Sequence, residues 1–156
     1  MIRRTRLVAL LVLLTMMPGL AMAQLGLKVT VNVEEAGTLF VKIQEKIEEV
    51  GELSDITELT ISGVLNVDDY NVIRNQLTNL QLLDVSGLAA ECGPELNISN
   101  QKKLTKVILP TAATALRNGC IEKCEILTDI FMPPALTSIP DYFVNGCKQL
   151  EHIDIP

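Results

Sequence analysis

The sequence repeats itself at a fixed interval. Leu104-Thr-Lys-Val107-Ile-Leu109-Pro110 returns as Leu127-Thr-Asp-Ile130-Phe-Met132-Pro133 and again as Leu150-Glu-His-Ile153-Asp-Ile155-Pro156, each start 23 residues after the last. Two earlier copies, Ile56-Thr-Glu-Leu59-Thr-Ile61-Ser62-Gly63 and Leu80-Gln-Leu-Leu83-Asp-Val85-Ser86-Gly87, start 24 residues apart, and Leu80 lies 24 before Leu104. A period of this length means a solenoid: one copy cannot bury its own apolar row, whereas stacked copies give that row a continuous core. The repeat domain is therefore 56–156, with copies starting at 56, 80, 104, 127 and 150.

In each copy the last two apolar residues stand two apart, the period of a strand. The strands are expected to stack side by side into a short parallel sheet. The Pro or Ser-Gly that follows is expected to end each strand, because Pro lacks the N–H that a central ladder needs. The rest of each copy carries the chain round to the next turn. Leu136, Ile139 and Phe143 are its apolar anchors in the fourth copy, and Ala113, Leu116 and Cys120 hold the same places in the third.

Together with Leu136-Thr-Ser-Ile139-Pro-Asp-Tyr-Phe143-Val-Asn-Gly146-Cys147-Lys-Gln-Leu150, these motifs resemble the BspA-like leucine-rich repeats of bacterial cell-surface and secreted proteins. The likeness is close over 127–156 and fair over 104–126, where Cys120 replaces the family's Phe and Lys123 its Gly; over 56–103 only the strand signature remains. The resemblance implies an α/β repeat fold, a curved leucine-rich-repeat solenoid with a short parallel β-sheet, used for protein binding or adhesion.

Two segments precede the repeats. Residues 1–23 read as a secretory signal peptide, with Arg3, Arg4 and Arg6, an apolar run from Leu7 to Met17, and Ala21-Met22-Ala23 before the cleavage point. The run has eleven residues, against about 20 for a membrane span. Its removal takes the net charge from -6 to -6 − 3 = -9 and lowers a mean hydropathy of +0.31. Residues 24–55 read as an N-terminal cap: a strand over Lys28 to Val33, then an amphipathic helix with Thr38 as N-cap, Leu39, Ile43, Ile47 and Val50 inward, and Glu45 to Glu52 as its solvated side. A short helix around Val72 to Leu77, with Asp68 and Asp69 at its N-terminus, is expected in the first return path, and a loop over Ala89 to Lys103. No matching cap follows Pro156, so the natural protein is expected to continue, and the uncapped end offers a surface for association.

The acidic balance argues against nucleic acid, which is bound through Lys and Arg. A zinc site from Cys120, Cys124, Cys147 and His152 competes with the repeat, which already explains Cys124 and Cys147 as one position 23 residues apart. Their spacing admits a disulfide, with a column of buried thiols as the plainer reading. Cys120 or Cys147 as an enzyme's nucleophile, or His152 as its base, lacks a matched partner. Asp68 and Asp69 read as helix caps before metal ligands, and Asn97-Ile-Ser99 is a glycosylation sequon that means little if the source is bacterial. Neither an enzyme nor a cofactor is expected.

The outward strand positions carry the functional reading. On a stacked sheet they form two columns: Glu58, Leu82, Lys106, Asp129, His152, and Thr60, Asp84, Ile108, Phe131, Asp154. Ile108 and Phe131 become neighbours, with Leu82 close by and Lys106, Asp129, His152 and Asp154 as a polar rim, the make-up of a binding hot spot. In a chain with 3% aromatic residues, an outward Phe is informative. The expected partner is a host or envelope protein, bound by an exported, cell-surface or periplasmic module. The rival expectation is a scaffold whose ligand site lies in further repeats.

Overall fold

The computed structural model of the chain describes residues 26–155. The signal segment expected at 1–23 and the terminal Pro156 lie outside the described residues. In order, the elements are β1 (Leu27–Val33), α1 (Leu39–Ile47), β2 (Ile56–Gly63), α2 (Val67–Gln76), β3 (Leu82–Leu88), β4 (Lys106–Ile108), β5 (Asp129–Phe131) and β6 (His152–Asp154). The six strands form one parallel sheet in chain order. The cap's strand β1 is an integral member of that sheet, paired with β2 from Leu27↔Ile56 to Val33↔Gly63.

The repeat places equivalent residues opposite one another. Val29, Leu59, Leu83, Val107, Ile130 and Ile153 form one inward row across all six strands. The first five are buried and Ile153 partly so; each fully buried aliphatic side chain is worth about 1.5–3 kcal/mol. The residue after the leading Leu has its own task. Thr105 donates its hydroxyl to Gln81 O at 3.0 Å, and Thr128 to Thr105 O at 2.9 Å. The same carbonyls accept the Thr105 and Thr128 backbone N–H groups at 2.8 and 2.9 Å, so Thr adds a second bond between repeats.

Strand ends differ from expectation in the first two copies. β2 and β3 continue through Ser62-Gly63 and Ser86-Gly87, because both residues keep a backbone N–H for the ladder. Gly63 has φ +96° and lies so close to the Val33 carbonyl that a Cβ would collide with it. The Pro-terminated strands β4 to β6 stop one residue before the last apolar position, at Ile108, Phe131 and Asp154.

The return paths hold further corrections. Helix α2 begins five residues earlier than Val72, at Val67; its N-cap is Asn66, which accepts the Asp68 and Asp69 N–H groups at 3.0 and 3.3 Å. Ala89 to Lys103 contains a 3-10 turn over Ala90–Glu95 and buries Cys92, Leu96, Ile98 and Gln101, so it is a packed return path and not an open loop. Ala113, Leu116, Cys120 and Phe143 are buried as anchors, but Ile139 is 51% exposed, because no further turn packs on it among the described residues. Lys123 occupies the family's Gly position and still adopts φ 60°, matching Gly146 at φ 80° and Asn100 at φ 66° in the neighbouring turns. The backbone bonds from Asn100 N to Glu122 O (2.9 Å) and from Lys123 N to Asn145 O (2.8 Å) hold the left-handed turn whichever residue supplies it.

The cap is fastened by a residue outside it. Leu39, Ile43 and Ile47 of α1 are buried, whereas Val50 falls beyond the helix and is 65% exposed. Thr38 stands at the N-cap but gives its hydroxyl to Glu35 O at 2.6 Å and makes no side-chain cap. Asp69 caps α1 instead, accepting Gly37 N–H at 2.7 Å and Leu39 N–H at 3.0 Å, while the same carboxylate takes Asn66 N–H at 3.0 Å.

Candidate binding face

The strand pairing assembles both outward columns. Lys28, Glu58, Leu82, Lys106, Asp129 and His152 stand in register along one, and Thr30, Thr60, Asp84, Ile108, Phe131 and Asp154 along the other. Ile108 is thus flanked by Asp84 and Phe131, and Phe131 by Ile108 and Asp154. Phe131 is 42% exposed. His152 and Asp154 are also exposed, while Leu82, Lys106, Ile108 and Asp129 are half-buried between their neighbours.

Four contacts tune this face. The Lys106 ammonium sits 4.6 Å from the centre of the Phe131 ring, a cation–π contact between diagonal neighbours. Lys106 is therefore part of the aromatic anchor and not only its rim. Asp129, in register between Lys106 and His152, shares the Thr128 hydroxyl with Thr105 O, at 2.6 Å from its own Oδ2. Farther along, Lys28 neutralises Glu58 through a 2.8 Å ion pair, and Asp84 turns back to accept Ser86 N–H at 2.9 Å. The apolar centre at Ile108 and Phe131 thus has polar groups on each side. Strand parity located the seven residues; the ring contact and the Lys28 partner depend on side-chain reach and on the place of β1 in the sheet.

Residues 96–156 match the family model for the BspA type leucine rich repeat region (6 copies). This part of the chain is a BspA-type leucine-rich repeat region. No curated protein matches the chain. Leucine-rich repeats generally mediate protein–protein interaction. Among the described residues no helix is long and apolar enough to cross a membrane, and no group of three His, Cys, Asp or Glu is placed to hold a metal ion.

The opposite surface of the leucine-rich repeats carries a second ladder. Gln101, Cys124 and Cys147 occupy one position in three successive turns, and each reaches back to a carbonyl of the turn before. Gln101 Nε2 donates to Ile73 O at 2.6 Å, Cys124 Sγ to Ile98 O at 3.5 Å and Cys147 Sγ to Ile121 O at 3.1 Å. All four cysteines are free. Cys120 is fully buried and its thiol is pushed up to about 12, which does not suit a nucleophile. Cys92 is likewise raised by burial while its sulfur accepts Leu65 N–H at 3.3 Å. Gln101 escaped sequence reasoning because its side chain shares only hydrogen-bonding ability with Cys.

At the β6 end an apolar groove of about 510 Å³ is lined by Ile139, Tyr142, Phe143, Leu150, Ile153 and Ile155.

Proposed function

We propose that the chain is an exported, surface-facing module that binds a protein partner through the outward face of its sheet. The observation that carries this is the register Ile108↔Phe131 beside Lys106↔Asp129. It gathers an aromatic anchor, an aliphatic neighbour and fixed charges on a face that the fold itself leaves open. Aromatic anchors ringed by polar groups are the usual centres of binding energy. The mixed signs at Lys106, Asp129 and Asp154, with His152 beside them, favour a partner surface with an apolar knob between opposite charges. Adhesion at the cell surface is the use of such binding to which the export signal expected at 1–23 points.

The test is capture of a partner from host and envelope extracts by the chain lacking residues 1–23, followed by titration with variants. Phe131→Ala is expected to weaken binding at least tenfold, and Ile108→Ala by a smaller factor. Unchanged binding by both variants refutes this site. Export is checked separately, by N-terminal sequencing of secreted material, which is expected to begin at Gln24.

A further inference from the structure

Cys124 and Cys147 face each other across the last pair of turns. The bond from Lys123 N to Asn145 O, at 2.8 Å, draws the two return paths to hydrogen-bonded spacing, about 4.8 Å. That separation falls in the Cα range of a disulfide, about 4.4–6.8 Å. The side chains point the same way, since each thiol reaches the carbonyl 26 residues before it, Ile98 and Ile121. The thiols differ in access: Cys124 is buried and Cys147 is half-exposed.

We propose that Cys124 and Cys147 form a redox clamp, with Cys147 as the entry thiol that exchanges with an external disulfide and Cys124 as the resolving thiol.

The oxidant is a low-molecular-weight or protein disulfide, RSSR. Cys147 loses its proton and its sulfur attacks one sulfur of RSSR; that S–S bond breaks and one RS⁻ leaves. Cys124 then loses its proton and attacks Cys147 Sγ, expelling the second RS⁻. Two electrons pass to the oxidant, and the two protons leave with the products as 2 RSH. Two features support this order. The neighbouring Cys124 thiol holds the Cys147 thiol down to about 7, where the reactive thiolate is abundant at neutral pH. The Cys147 thiol beside it, with burial, pushes Cys124 up, so it waits as a thiol until the mixed disulfide forms beside it. The product ties the final turn to the one before it through a second covalent path.

The chain itself offers a direct readout. Trypsin cuts after Lys123 and Lys148, so both cysteines fall in one peptide, 124–148. The full chain is equilibrated with oxidised and reduced glutathione, acid-quenched, alkylated and digested. In oxidising mixtures peptide 124–148 is expected to carry no alkyl groups and to be about 2 Da lighter than the dithiol, while Cys92 and Cys120 stay alkylatable after unfolding. The melting temperature is expected to rise by roughly 5 °C. Cys124→Ser is expected to stall with glutathione on Cys147, and Cys147→Ser to leave Cys124 unmodified in the folded chain. Persistent double alkylation of peptide 124–148 in the wild-type chain overturns the proposal without reliance on any variant. So does accumulation of the wild-type mixed disulfide, or a link that leaves the melting temperature unchanged.

Discussion

Asp69 Oδ1 accepts the backbone N–H of Leu39 at 3.0 Å, across thirty positions of sequence. The two residues join the cap to the first return path at a point with 1% exposure of Asp69 and none of Leu39. A carboxylate there suits the N-termini of two helices at once, where free N–H groups and the helix dipoles favour negative charge. Asp69→Ala leaves the N–H groups of Gly37, Leu39 and Asn66 without this acceptor. The expected loss of stability is about 3 kcal/mol, read from urea unfolding. Amide exchange is expected to accelerate first at Gly37 and Leu39. A loss under about 1 kcal/mol means that water replaces the carboxylate and the link is dispensable.

Neighbouring residues on β5 separate folding from binding. Ile130 points inward at 2% exposure and Phe131 outward at 42%. Ile130→Ala is expected to cost about 2–5 kcal/mol through lost burial and a residual cavity. Phe131→Ala is expected to change stability by under about 1 kcal/mol while losing partner binding. Equal destabilisation by the two, measured by thermal and urea unfolding, contradicts the assigned faces.

Lys123 keeps φ 60° where its counterpart Gly146 has φ 80°. A side chain in the left-handed region costs roughly 1–2 kcal/mol, and Gly loses more backbone entropy on folding by about 0.5–1 kcal/mol. The balance favours Lys123→Gly, with a gain of about 0.5–1 kcal/mol expected in urea unfolding. Its ion pair with Glu122 is long, at 3.8 Å, and lies at the surface, where such pairs contribute little.

The cysteines are expected to label with alkylating reagent in a fixed order. Cys147, held at about 7 by the neighbouring Cys124 thiol, gains thiolate as pH rises through neutrality, so its labelling rate climbs between about pH 6 and 8 and then levels. Cys120, at about 12 and buried, is expected to label only on unfolding. Peptide mapping across a pH series checks both. A half-point for Cys147 near 8.5, the ordinary thiol value, shows that Cys124 does not activate it in solution.

The period of 23–24 residues made the sheet, its inward row and both outward columns legible, because a solenoid turns sequence spacing directly into spatial register. What escaped was whatever the spacing does not carry. Asp69 caps α1 from a different element, so the adjacent Thr38 misled. Ser-Gly resembles a strand terminator, yet both residues keep the N–H that the ladder uses. The Ala89–Lys103 segment has turn-forming composition, but neighbouring turns impose a packed path on it through bonds such as Ile98 N to Cys120 O, at 2.8 Å. At the candidate site, parity placed Phe131 outward; the Lys106 ammonium over its ring needed three dimensions.

The strand pairings shorten along the molecule: β1 and β2 share seven residue pairs, whereas β4–β5 and β5–β6 share three each. A tether that is pulled lengthwise fails where the fewest bonds carry the load. Under tension the three-pair contacts from β3 to β6 are expected to part before the longer β1–β2 and β2–β3 pairings.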